Sequence, residues 1–109
     1  MPVELTETLL QRIRDNDPML TELDLYEQNI ADEGAGEIAE ALKTNNSLTT
    51  IDLRWNKITD AGAKKIAEVL KTNNSLTTIY LGSNQIGAEG VEKIAEVCLI
   101  ALLCFIFLV

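Results

Sequence analysis

Asp24 and Asp52 lie 28 residues apart, each between two aliphatic residues, in Leu23-Asp24-Leu25 and Ile51-Asp52-Leu53. Carboxylates that a fold sets side by side can share a proton or a cation. Arg54 follows Asp52 by two positions, so a simpler expectation is two solvated charges balanced by one guanidinium. The remaining parts of a catalytic site are missing. There is no histidine in the chain, which removes the commonest general base, proton shuttle and metal ligand. No nucleophile, base and orienting group fall together. Cys98 and Cys104 stand six residues apart in an apolar tail, a spacing that fits neither a zinc knuckle nor a secreted disulfide framework. The expectation is a protein that is no enzyme, with no catalytic, cofactor-binding or metal-binding residue.

A second group of residues suits contact rather than reaction. Trp55 beside Arg54, and near Tyr26 and Tyr80, has the composition of interface anchors. The plainer alternative is that Trp55 packs over a neighbouring loop. Asn45-Asn46-Ser47 and Asn73-Asn74-Ser75 match the N-glycosylation acceptor pattern, but without a secretory signal at the N-terminus they read as turn residues in a cytoplasmic protein. Seventeen acidic against nine basic side chains give a net charge of -8. That balance argues against nucleic acid, whose binders need a basic stripe to displace phosphate counterions.

The elements that would position these groups emerge when the chain is laid on itself. Leu20-Thr-Glu-Leu-Asp-Leu25, Leu48-Thr-Thr-Ile-Asp-Leu53 and Leu76-Thr-Thr-Ile-Tyr-Leu81 start at a constant step of 28. Gly34, Gly62 and Gly90 share a column, as do Ile38, Ile66 and Ile94. Within a unit the period changes. Ile51 and Leu53 alternate as in a strand with one buried face. Ala63, Ile66, Ala67 and Leu70 then recur at helical spacing, with Lys64, Lys65, Glu68 and Lys71 toward water. Asp60, and Asp32 one repeat earlier, are expected as N-caps of their own helices.

Such a unit cannot bury its own apolar face, so units must stack. The predicted fold class is α/β: a short right-handed leucine-rich repeat solenoid, with parallel strands on the concave side and helices on the convex side. The predicted divisions are a capping half-repeat over residues 1–19, repeats at 20–47, 48–75 and 76–97 (the last incomplete), and an apolar tail over 98–109. Residues between the inward strand positions then face outward on the concave side. Glu22, Asp24, Tyr26, Thr50, Asp52, Arg54, Trp55, Thr78 and Tyr80 are therefore the candidate partner-binding set, with Gly82 on the same face and Glu27, Trp55 and Ser83 at its edge.

Leu48, Ile51, Leu53, Asn56, Ile58 and Gly62 form the pattern LxxLxLxxNxI with a Gly-containing helix, which resembles the repeats of ribonuclease inhibitor and NOD-like receptors. The resemblance implies a structural ladder of asparagines hydrogen-bonded to loop backbone, for which Asn56 and Asn84 match; the first repeat has Gln28 there, and Asn29 one place late. The segment 9–25, LLQRIRDNDPMLTELDL, is similar to the corresponding segment of tropomodulins and leiomodins. It places Leu9, Leu10 and Ile13 where the repeats have Ile38, Ala39 and Leu42. These resemblances imply a non-catalytic module binding a protein partner of unknown identity. Their alternative implication is a regulator of a small GTPase or of the actin filament.

After Glu96 no charge follows, and thirteen apolar residues run from Val97 to the end. As a helix they would reach about 20 Å, short of the ~30 Å hydrocarbon core, so partial membrane contact fits better than a full span. A cap over the last strand, a membrane tether and sequence foreign to the repeat all stay open, as does self-association through this tail. The chain also reads as a fragment of a longer repeat protein.

Overall fold

The computed structural model describes residues 4–101 and 105–107. Helix α1 spans Glu7–Arg14 and strand β1 Glu22–Asp24; then come α2 (Ala31–Leu42), β2 (Thr50–Asp52), α3 (Asp60–Leu70), β3 (Thr78–Tyr80), α4 (Ala88–Ala101) and β4 (Phe105–Phe107). The strands form one parallel sheet in sequence order. Glu22, Leu23 and Asp24 pair with Thr50, Ile51 and Asp52, which pair in turn with Thr78, Ile79 and Tyr80. The 28-residue step is therefore also the register of the sheet.

Three-residue strands are held by what surrounds them. Parallel pairing continues past each strand end, where Leu25 N–H donates to Asp52 O at 2.9 Å and Leu53 N–H to Tyr80 O at 2.8 Å. Beneath the sheet Leu23, Leu25, Ile51, Leu53, Ile79 and Leu81 meet Ile38, Leu42, Ile66, Leu70 and Ile94, all nearly or fully excluded from solvent. Each such side chain contributes about 1.5–3 kcal/mol by leaving water. The core is thus one continuous slab between strands and helices, and every repeat supplies the same columns to it.

The N-terminal end is closed by α1, whose Leu9, Leu10 and Ile13 are buried. The Thr6 hydroxyl accepts from Leu9 N–H at 3.2 Å, and acidic Glu7 opens the helix while Arg12 and Arg14 end it, matching the helix dipole. Asn16 then takes a left-handed backbone (φ 58) that stops the helix. At the other end Val91 is 36 % exposed, whereas Ala63 and Ala35, one and two repeats back in the same column, are fully buried. Among the described helices, none packs on the side of α4 away from α3.

The fourth strand departs from the sequence expectation of three. Phe105, Ile106 and Phe107 pair with Thr78, Ile79 and Tyr80, a step of 27. Aromatic and β-branched residues suit a strand, and the open edge of β3 offers the unpaired backbone groups to receive one. Of the tail set apart at 98–109, residues 102–104, 108 and 109 lie outside the described residues. No helix among the described residues is long and apolar enough to cross a membrane.

A correction concerns the caps. Asp32 and Asp60 do not cap the helices they begin. Asp32 Oδ1 accepts from Thr59 N–H at 2.7 Å and Gly62 N–H at 3.0 Å, at the start of α3. Asp60 Oδ1 accepts from Gly87 N–H at 2.7 Å and Gly90 N–H at 3.0 Å, at the start of α4. Each carboxylate sits in the first turn of its own helix, close beside the next repeat's exposed N–H groups. Glycine at 62 and 90 makes this approach possible: a Cβ on Gly62 would stand 2.5 Å from Asp32 Oδ1 and one on Gly90 2.6 Å from Asp60 Oδ1.

Candidate functional site

The outer face of the sheet carries the residues singled out in sequence. Period-two alternation sends Leu23, Ile51 and Ile79 into the core and leaves their neighbours outside. Glu22 is exposed, and Asp24, Tyr26, Thr50, Asp52, Thr78 and Tyr80 are half-buried against one another. Arg54 and Trp55 are exposed, as are Glu27 and Ser83, while Gly82 is buried.

Arg54 is the centre of this face. Its Nε donates to Asp52 Oδ1 at 3.0 Å and its Nη2 to Asp52 Oδ2 at 2.7 Å, a two-point grip that fixes the plane of the guanidinium. The same group lies 5.3 Å from the centre of the Tyr26 ring and 5.2 Å from that of Tyr80, within cation–π range of both. Burial opposes ionisation of Asp52, but the hydrogen bonds from the Arg54 side chain and N–H, with its charge, outweigh it and hold the carboxyl below its usual range. Asp24 is the register partner of Asp52 and accepts from Tyr26 N–H at 3.1 Å. Asp52 is therefore committed to Arg54, while Asp24 is turned to the backbone of its own loop.

Trp55 stands on the loop after β2 with φ 61 and is 54 % exposed. Glu27 and Ser83, its column mates, share the left-handed backbone at φ 52 and 56. The loop therefore imposes this conformation whatever residue occupies it, at about 1–2 kcal/mol for any side chain other than glycine. A large exposed ring is not what the turn itself selects.

Asparagines hold both ends of this surface. Asn56 is fully buried; its Oδ1 accepts from Gln28 N–H at 2.8 Å and Ile30 N–H at 3.2 Å, and its Nδ2 donates to Leu25 O at 2.7 Å and Arg54 O at 3.1 Å. Asn84 repeats the arrangement one unit later, accepting from Asn56 N–H at 2.9 Å and Ile58 N–H at 3.0 Å and donating to Leu53 O at 2.9 Å. Gln28 turns instead to Tyr26 O at 3.0 Å. A second rung, read from sequence only as turn chemistry, lies before the strands. Asn45 Nδ2 donates to Ile13 O at 3.0 Å and Asn73 Nδ2 to Leu42 O at 3.0 Å. In the first repeat this column holds Asp17, which lacks the amide donor and takes Arg12 Nε at 2.9 Å instead.

Among the described residues there is no cluster of three or more residues fit to hold a metal. The profile of the TMOD/LMOD leucine-rich domain family matches residues 2–101. No curated protein sequence matches the chain significantly. Among solved structures, "Leiomodin-1 Actin-Binding Site 2 (ABS2)" is 27 % identical with a TM-score of 0.87, over 97 % of this chain and 64 % of that one. The tropomodulin C-terminal domain from Caenorhabditis elegans is 22 % identical with a TM-score of 0.82, over 93 % and 61 % respectively; at that identity it speaks for the fold. The chain spans less than two thirds of these relatives. With a profile match across nearly all its length, on a backbone shared with both structures, this protein belongs to the tropomodulin/leiomodin leucine-rich domain family.

Proposed function

We propose that this chain is a non-catalytic actin-binding module that meets its partner on the outer face of the sheet. The observation that carries the reading is the likeness to the actin-binding site of leiomodin-1, which extends over 97 % of the chain. In this reading the units are a cap over 1–19, repeats at 20–47, 48–75 and 76–97, and a tail over 98–109. They stack as a right-handed solenoid whose sheet is the concave side and whose helices are the convex side.

The contact set is Glu22, Asp24, Tyr26, Thr50, Asp52, Arg54, Trp55, Thr78 and Tyr80. Two features support it. Arg54 is held flat between two tyrosine rings by Asp52, so little side-chain freedom is lost when a partner covers it. Trp55 is large, exposed and placed where the backbone favours glycine. Asn56 and Asn84 serve this face by fixing the loops that carry Arg54, Trp55 and their counterparts.

Titrating labelled monomeric actin with the purified chain, and spinning the chain down with filaments, tests the reading. Saturable binding to either form is the expected result. An actin that ignores the folded chain in both assays removes it.

A further inference from the structure

The loops that follow β1, β2 and β3 occupy the same columns of the repeat but carry different charge. They read Tyr26-Glu-Gln-Asn-Ile30, Arg54-Trp-Asn-Lys-Ile58 and Gly82-Ser-Asn-Gln-Ile86. Only the middle one is basic. In a chain of net charge -8, its Arg54 and Lys57 bracket Trp55, the single tryptophan of the protein.

Lys57 has no evident part in holding the fold. It is exposed on a left-handed backbone at φ 60. Asn29, in the same column, shares this conformation at φ 57, and asparagine adopts it more readily than lysine. Lys43, Lys64, Lys71 and Lys93 each pair with a glutamate. Lys57 pairs with no carboxylate among the described residues. Asp52 already balances Arg54, so Lys57 is the unmatched cation of the loop.

The backbone that carries these groups is fixed from both sides. Arg54 O accepts from Glu27 N–H at 3.0 Å, and Trp55 N–H donates to Gly82 O at 3.3 Å. The N–H groups of Asn56 and Ile58 both donate to Asn84 Oδ1, at 2.9 and 3.0 Å. Lys57 thus lies between two pinned residues, and its α-carbon is at most about 11 Å from that of Arg54. A partner that covers this loop has little backbone to order.

The neighbouring loops set the direction from which a charged partner approaches. On the β1 side stand Glu22, Asp24 and Glu27, which repel a carboxylate. On the β3 side Ser83 and Gln85 are exposed and uncharged, so nothing there opposes the charge of Lys57.

We propose that the loop between β2 and α3 docks an acidic segment of the partner protein. The segment runs over Ser83 and Gln85, lays an apolar side chain on the Trp55 indole and sets a carboxylate against the Lys57 ammonium. The inference deepens the sheet-face reading, on which it rests for the face, by naming the partner's chemistry; it does not require that the partner be actin.

The test uses two 12-residue peptides, one with four Glu flanking a central Leu-Phe pair and one with four Lys in their place, the remaining positions being Gly and Ser. Each is titrated into the purified chain while the emission of Trp55 is followed, a signal that belongs to this loop alone. The Glu peptide is expected to shift the emission saturably at 0.05 M salt, with an apparent Kd at least threefold higher at 0.3 M. The Lys peptide should bind at least tenfold more weakly. Lys57→Glu should weaken the Glu peptide tenfold or more and Lys57→Gln about threefold. Lys71→Glu, the same charge change at the end of α3, should leave it within twofold, and all three variants should melt with wild type. The proposal is overturned if the Glu peptide leaves the emission unchanged, if the Lys peptide binds as well, if Lys57→Glu binds the Glu peptide like wild type, or if Lys71→Glu weakens it equally. Titrating the same proteins with actin separates the two readings. A chain that binds the Glu peptide as expected and ignores actin supports this inference and removes the actin reading; actin bound equally by wild type and Lys57→Glu overturns this inference and leaves the actin reading standing.

Discussion

At the scale of single residues, the asparagines and the left-handed loop positions make opposite contributions. Asn56 satisfies four backbone groups, from Leu25, Gln28, Ile30 and Arg54, at a site with no access to water. Asn56→Ala would strand them, at about 1–3 kcal/mol for each group left without a partner or a water. We expect a loss of at least 3 kcal/mol in urea unfolding, and a loss below 1 kcal/mol would show that the rung is dispensable. Glu27 is exposed with φ 52, so Glu27→Gly should instead stabilise by about 1 kcal/mol. An unchanged or lower Tm would mean that its side chain contributes more than its backbone costs.

The elements are coupled by carboxylates and glycines that reach across repeats. Gly62→Ala would gain about 1 kcal/mol of helix propensity. It would also drive a Cβ to 2.5 Å from Asp32 Oδ1 and 3.2 Å from the Ala35 Cβ, and overpacking of this kind costs about 1–3 kcal/mol. We expect net destabilisation, read as a lower Tm in a thermal melt against wild type; an equal or higher Tm would show that the contact relaxes at no cost. The acid behaviour follows from the same contacts. Burial raises the pKa of Asp32, but hydrogen bonds from the Thr59 hydroxyl and from the Thr59 and Gly62 N–H groups, with the charge of Lys65, hold it below 3.8. A carboxyl with its folded pKa below its unfolded one contributes stability that is complete above the unfolded value and is lost as pH falls through the folded value. Asp17 and Asp52 are lowered too. Stability should therefore decline as pH falls below about 4, with a shallower decline in Asp32→Asn. Equal slopes in urea melts at several acid pH values would contradict this account.

For the molecule as a whole, what was legible in sequence was whatever repeats. Leu48, Ile51 and Leu53 reveal a strand, Ala63, Ile66, Ala67 and Leu70 a helix, and the shared step reveals that neighbours pair in register. Contacts between columns were not legible. The reach of Asp32 to Gly62 and of Asp60 to Gly90 spans 30 residues and depends on how closely two helices approach, which no local cap pattern encodes. Arg54 was recognisable as an interface type from its neighbours, but its seat between Tyr26 and Tyr80 depends on how the fold spaces three strands. Beyond Val97 the columns stop, and so did the means of seeing β4.

The claim that joins these scales is that a rigid, aromatic-flanked Arg54 and an exposed Trp55 form the contact with actin. Its most direct test is the dissociation constant for actin of the wild-type chain against the double variant Arg54→Ala, Trp55→Ala, after circular dichroism has shown that both fold. The account predicts that wild type binds and that the double change weakens binding at least tenfold with little change in Tm. Equal affinity in the two proteins would contradict it.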